Sequence, residues 1–246
     1  MLQLITQSVP GYLNMTCNYS ATANNGRITG SVDGITGENT SYTYDTLNRL
    51  TGATNSLWTR AFSYDGFGNL TSGGASYDAN NHQVGANYDA NGNPLGPVYN
   101  VENRMTGSGG AAYISDPSGK RVMTQAASGG MGSNNYQYSF YGITGQRLVT
   151  IGCTNVANQR WPNCSILGQN VYFGGKLLVS NGATVVTDRL GSVRANTQGE
   201  SFAYYPYGEE RTTTPDGRDK FGTYFRDGVG QDYADQRYYN AGMGRF

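Results

Sequence analysis

The chain has 246 residues, of which 36 are Gly, 20 are Tyr and 14% are charged. Its length fits one large β unit or two ordinary domains, and its composition excludes a helical protein rich in Ala, Leu, Glu and Lys. Seventeen basic side chains balance seventeen acidic ones, so nothing marks the chain for nucleic acid or for an anionic membrane surface.

With few aliphatic residues, packing falls to tyrosine rings, which bury apolar area while their hydroxyls stay hydrogen-bonded. A one-layer or hollow all-β sheet suits that supply. No run of about 18 apolar residues, the length a membrane-spanning helix needs, occurs. The opening MLQLITQSVPGYLNM lacks the basic start and unbroken apolar stretch of a signal peptide. Membrane insertion is not expected.

From Tyr19 onward the chain repeats itself. A worn copy ends in Gly26-Arg27-Ile28. Clear copies follow: Tyr44-Asp45 with Asn48-Arg49-Leu50, Tyr64-Asp65 with Gly68-Asn69-Leu70, and Tyr88-Asp89 with Gly92-Asn93-Pro94-Leu95. Weaker ones are Tyr77-Asp78 with Asn80-Asn81, Tyr99-Asn100 with Asn103-Arg104-Met105, Asp116 with Gly119-Lys120-Arg121, and Tyr141-Gly142 with Gly145-Gln146-Arg147-Leu148.

Each copy predicts a β-hairpin. The Asp carboxylate caps backbone amides two residues on, and Gly or Asn takes the position that needs positive φ. Tyr44 with Leu50, and Tyr64 with Leu70, would form apolar cross-strand pairs, each worth about 0.2–1 kcal/mol. A single hairpin is marginal, so each must add to the last to make a continuous curled sheet. The Arg after the turn, at 49, 104, 121 and 147, is expected to pair with the turn Asp of an adjoining copy and so set register. Spacing between tyrosines varies, wider from Tyr44 to Tyr64 than from Tyr77 to Tyr88, which suits a spiral better than a strict solenoid.

These features predict repeats over 1–149, an irregular hairpin or loop insertion over 150–184, and a C-terminal segment, 185–246, continuous with the same sheet. Cys153 and Cys164 flank CTNVANQRWPNC, a loop that a disulfide could close, with three unconnected thiols as the alternative; Cys17 has no near partner in sequence.

YDTLNRLTG and YDGFGNLTS resemble the YD-repeat, or Rhs-repeat, family. The end of the chain resembles its Rhs-associated core: VVTDRLGSVRA with Asp188 and Gly191, YYPYGEE with Tyr205, Pro206, Tyr207 and Gly208, and RYYNAGMGRF with Arg237, Tyr238, Tyr239, Gly244, Arg245 and Phe246. The resemblance implies a shell, in which β-sheets spiral into a cocoon around a C-terminal toxin or form the barrel of a cell-surface adhesion protein. The chain departs from the family at Phe221-Gly222-Thr223, where Phe-Thr-Gly is usual, and at Asn240-Ala241, where Asp-Pro is usual. It stops at Phe246, where the family runs on into a self-cleaving Asp-Pro-Gly segment. No matching acidic dyad is present, so neither autoprotease, toxin cargo nor a closed cocoon is expected.

Little else points to chemistry. His82 in DANNHQ is the one histidine and reads as a loop residue. DANGNP at 89–94 has its Gly two positions early for a calcium loop. Glu209 and Glu210, adjacent on a strand, point to opposite faces; they and Asp232 with Asp235 read as salt-bridge formers toward partners such as Arg211, not as a glycosidase pair. Trp58, Trp161 and the tyrosine clusters read as packing before sugar platforms. No metal and no cofactor is expected, and catalysis ranks last. The leading expectation is an extracellular or cell-surface structural protein that encloses cargo or stacks on itself. The alternative is an adhesin-like module contacting glycans or partner proteins.

Overall fold

A computed structural model describes residues 3–126, 135–156, 158–227 and 231–246. Its building unit is a five-residue turn organised by the side chain at the first position. In the copy at 45–49, the Asp45 N–H donates to the Arg49 carbonyl (3.0 Å) and the Asn48 N–H to the Asp45 carbonyl (3.1 Å). Asp45 Oδ1 meanwhile accepts from the Leu47 and Arg49 N–H groups at 2.9 and 2.8 Å. Asp65, Asp78, Asp89 and Asn100 repeat this arrangement. The fourth position has positive φ, at Asn48 (65°), Gly68 (89°), Gly92 (82°) and Asn103 (59°), where only Gly and Asn sit cheaply.

The residues flanking each turn face one another, Tyr44 with Leu50, Tyr64 with Leu70 and Tyr99 with Met105. In the third clear copy the partner of Tyr88 is Pro94. Leu95, expected as the repeat leucine, lies one residue beyond and is 60% exposed. The reason is the hydrogen-bond scheme: its own N–H reaches Asn87, as the Thr71 N–H reaches Ser63. The position before it donates nothing within the turn, so a proline there forfeits nothing.

The turn does not stop at residue 149. Asp188 Oδ1 accepts from Leu190 and Ser192, Asn196 Oδ1 from Gln198 and Glu200. Tyr205 closes the same backbone bonds with Glu209 and Gly208. Gly191, Gly199 and Gly208 hold the positive φ. Two of the three C-terminal motifs are thus further copies of the repeat turn.

The strands between turns form three antiparallel sheets. The first has six strands in chain order, β1 (Thr6–Val9), β2 (Leu13–Tyr19), β3 (Ile28–Asp33), β4 (Asn39–Tyr44), β5 (Leu50–Thr54) and β6 (Thr59–Ala61). The second has ten, also in chain order: β7 (Val98–Tyr99), β8 (Met105–Ser108), β9 (Ala111–Ser115), β10 (Arg121–Gln125), β11 (Asn135–Tyr141), β12 (Arg147–Thr154), β13 (Asn163–Phe173), β14 (Lys176–Ser180), β15 (Ala183–Thr187) and β16 (Val193–Asn196). The third comprises β17 (Arg218–Asp219), β18 (Phe225–Arg226), β19 (Asp232–Ala234) and β20 (Arg237–Tyr239).

The chain is all-β and antiparallel, as its composition requires, yet the ladder is divided. Between β6 and β7 the hairpins close by single bridges, Tyr64 with Leu70, Tyr77 with Gln83 and Tyr88 with Pro94. Residues 150–184, expected as an irregular insertion, instead carry regular strands in the middle of the ten-stranded sheet, and β12 and β15 run across both expected boundaries. Cys153 and Cys164 face each other across β12 and β13 and are joined by a disulfide, while Cys17 is a buried free thiol. Leu177, Val185, Val193 and Phe202 make the main apolar cluster, with Tyr172 and Tyr204 packed on it.

Candidate functional site

Successive copies hold one another through the tyrosine. The Tyr44 hydroxyl donates to the Ile28 carbonyl at 2.7 Å, Tyr64 to Leu50 at 2.6 Å, Tyr77 to Leu70 at 3.2 Å and Tyr141 to Arg121 at 2.9 Å. In each case the carbonyl belongs to the residue just after the previous turn. At three copies the cationic last turn residue lies over the next copy's ring: Arg27 over Tyr44 (5.1 Å), Arg49 over Tyr64 (4.7 Å) and Lys120 over Tyr141 (5.2 Å). A cation over a ring contributes about 0.5–1 kcal/mol at exposed sites.

This corrects the expected charge ladder. Arg49 pairs with its own turn acid, Asp45 (2.6 Å), and meets the next copy at the Tyr64 ring and the Asp65 backbone carbonyl (3.2 Å), not at the Asp65 carboxylate. Arg104 likewise pairs with Glu102 (3.3 Å) and touches the Asp116 carbonyl (3.3 Å). The turn carboxylates have no capacity to spare. Asp65 accepts from the Asn69 amide side chain and from the Asn69 and Phe67 backbone N–H groups, and these hold its carboxyl below the usual carboxylate range. Asp89, bonded first by the Asn93 side chain, is held low in the same way, so DANGNP is a turn whose oxygens are already occupied.

Arg121 and Arg147 depart further. Each stands not at the last turn position but one residue later, opposite Ser115 and Tyr141, where Leu50 and Leu70 stand in the early copies. Glu210, opposite Tyr204, occupies that position too. Charge in the leucine position points inward, and the C-terminal sheet supplies its complement. Arg121 makes a two-bond pair with Asp227 (2.7 and 2.8 Å) and also bonds the Tyr238 hydroxyl (2.6 Å). Arg147 pairs with Asp219, whose second oxygen takes Asn170 (2.8 Å) and Ser180 (3.3 Å). Glu210 Oε2 accepts from Lys220 Nζ (2.7 Å) and Arg226 (3.4 Å). Arg226 in turn grips both oxygens of Asp232, at 2.7 and 2.9 Å.

Lys220 and Asp232 are both 0% exposed. A buried charge survives only if paired and fully hydrogen-bonded. Lys220 meets this with Glu210, Asp216 (3.2 Å) and the Thr214 carbonyl (3.0 Å). For Asp232, burial pushes the carboxyl upward and the guanidinium opposes it; the two short contacts are those of a carboxylate held by its partner. None of Lys220, Arg226, Asp219 or Asp227 stood out in the sequence. The signal was a charge in the leucine position at 121, 147 and 210, which demands a counter-ion.

The remaining motif residues knit this segment to the repeats. The Tyr64 hydroxyl meets that of Tyr207, and burial followed by this contact raises the Tyr64 pKa. Tyr239 donates to the Tyr207 carbonyl (2.8 Å). Arg245 reaches Asn69 (3.3 Å), and Arg237 lies over the Phe246 ring (4.4 Å). A Cβ at Gly208 would stand 2.4 Å from the Phe221 ring, and one at Gly244 3.1 Å from Tyr207, so both positions must be glycine for space as well as φ. Tyr205 takes Trp58 edge-on (5.2 Å) under Arg60 (3.9 Å). Pro206 and Asp188 line a cavity of about 230 Å³ beneath the six-stranded sheet.

Other singled-out groups lie apart. His82 stacks on Tyr88 (4.2 Å), with Nδ1 3.8 Å from Asp78. Glu209 pairs with Arg60 (3.1 Å), away from Glu210. Asp235 pairs with Lys120, away from Asp232. Arg211, expected to serve Glu209 and Glu210, binds Glu38 through two bonds of 2.7 and 2.8 Å. The two members of each carboxylate couple are thus bound to different partners.

No family model matches the chain, and no curated protein matches it in sequence. Solved structures do match in fold. A Tc holotoxin pore of Photorhabdus luminescens, carrying a point mutation in its TccC3 component, superposes over 97% of this chain and 17% of its own, with TM-score 0.61 and 11% identity. The TcdB2-TccC3-Cdc42 complex superposes over 94% and 15%, with TM-score 0.55 and 15% identity. The chain therefore has the fold of a stretch of Tc toxin chain about a sixth as long as the chains it matches.

Proposed function

We propose that the chain is a structural wall, a segment of an Rhs-like extracellular shell that encloses cargo or extends by self-assembly. The carrying observation is the tyrosine relay at Tyr44, Tyr64, Tyr77 and Tyr141, in which the hydroxyl of one copy closes its predecessor. Such a chain of closures makes surface, not an active site, and catalysis forms no part of this reading. Open sheet edges at β1 and β6 supply main-chain groups for another copy, and a head-to-tail contact that does not close a ring gives an open polymer. Electron microscopy and light scattering of the purified chain should show tubes or filaments growing with concentration. Compact monomers at every concentration would reject self-assembly.

A second reading, an adhesin-like surface for glycans or partner proteins, draws support from aromatics in solvent, Phe173 at 79% and Trp161 at 72% exposed. Retention of soluble monomers on specific spots of a glycan array, lost in Trp161→Ala, would favour it.

A further inference from the structure

The largest of the cavities, about 610 Å³, lies between the single-bridge hairpins and strand β20. Four arginines line it, Arg104, Arg121, Arg237 and Arg245, and among the described residues no Asp or Glu side chain does. The other cavities each carry an acid in their walls, Asp188, Asp227, Asp219 with Asp235, or Glu102 with Asp116. Arg121 is neutralised by Asp227 and Arg104 is partly served by Glu102. Among the described residues Arg237 and Arg245 have no acid within ion-pair distance. Arg245 bonds only the neutral Asn69 amide, and Arg237 rests on the Phe246 ring.

Aromatic faces complete the lining: Tyr88, Tyr99, Tyr238, Tyr239 and Phe246. Amide side chains at Asn93 and Asn103, bonded to each other (2.9 Å), stand on the hairpin wall. The volume falls in the range of about 300–1,000 Å³ that holds small ligands. Guanidiniums supply planar donors for an oxyanion, and tyrosine faces accept a flat ring. We propose that this groove binds a small, flat, ring-bearing anion, a carboxylate, sulfonate or phosphate on an aromatic body. This site needs no assembly, so it stands or falls separately from the wall.

The probes are anilinonaphthalene sulfonate and its uncharged counterpart, N-phenylnaphthylamine, titrated by fluorescence against monomeric protein. The sulfonate should bind more tightly than the neutral amine. Arg237→Gln with Arg245→Gln should weaken it at least about tenfold, which is about 1.4 kcal/mol, while Arg245→Lys retains part of the affinity. Arg237→Gln alone removes a side chain that holds no hydrogen bond in the fold, so it keeps the test open if the double variant fails to fold by circular dichroism. Equal binding of both probes, or sulfonate binding unchanged in the variants, would overturn the site. Tighter binding by polyglutamate, lost in the variants, would overturn the small-ligand assignment in favour of an acidic chain.

Discussion

Residues 62–97 and residues 185–246 use the same turn and end in opposite physical states. In the first stretch the hairpins close by one bridge each, and their tips, such as Phe67, stand in solvent. Their charges are spent on their own turns. In the second, Lys220 and Asp232 are sealed from water inside a linked set of ion pairs. The turn fixes the backbone in both. What differs is the residue after it, apolar or neutral at Leu70, Gln83 and Pro94 but Glu at 210. At Glu210 the charge after the turn is met by Lys220 and Arg226, whereas Val193, after the turn at 188–192, is buried in the apolar cluster.

The comparison breaks most sharply at Asp232. Replacing it by Ala leaves the Arg226 guanidinium buried with only the longer contacts to Glu210 and the Gly208 carbonyl, and losses of this type run to about 3–5 kcal/mol. Chemical denaturation of Asp232→Ala should show a loss of that order. A loss below about 1 kcal/mol would mean that the interior charges do not hold the segment in place.

Next in size is the disulfide. Cys153 and Cys164 are 11 residues apart in sequence, and closing a loop of that length stabilises by about 3 kcal/mol in the chain-entropy view. Reduction should lower the denaturation midpoint while leaving residues 62–97 unaffected, as read by amide protection. Loss of protection in both regions would show that the sheets unfold together.

Smaller still is Asp65→Ala. Its effect should stay local, seen as faster proteolysis near Phe67, with global stability little changed. Global collapse would contradict the view of this stretch as thin wall.

The turn acids also predict a pH response. Asp65, Asp89 and Asp116 have folded pKa values below the usual carboxylate value of about 3.9. Their stabilisation is therefore complete above that value and is lost as pH falls through the lower folded ones. Amide resonances of Phe67, Asn69, Asn91 and Asn93 should shift together in that acid window. Tyr172 gives the opposite sign: burial pushes its hydroxyl up to about 12, so its contribution is intact below about 10 and fades between there and its folded value. An ultraviolet titration that found Tyr172 ionising at the ordinary value would remove it from the core.

The hairpin turn was legible because all its determinants sit within five residues: an acid that reaches two amides, and Gly or Asn where φ turns positive. The register of the arginines was not. Lys120-Arg121 and Gln146-Arg147 offer two adjacent polar positions, and a slip of one residue moves a side chain to the other face. Nor does the sequence near Arg121 hint at Asp227, or near Arg147 at Asp219, since both counter-ions arrive from another part of the chain. The stretch 150–184 misled for a different reason. It lacks the Tyr-Asp punctuation, and its strands are ordered instead by pairing on both sides within a wide sheet. Leu95 was expected as the repeat leucine, and Pro94 holds that place opposite Tyr88 instead.

A tyrosine hydroxyl that satisfies the preceding unit's carbonyl gives the molecule a direction. At Ile28, Leu50, Leu70 and Arg121 the carbonyl is finished only when the following copy supplies its tyrosine. A truncation that removes the following tyrosine leaves that carbonyl without its donor, so the two ends of such a stretch are not equivalent.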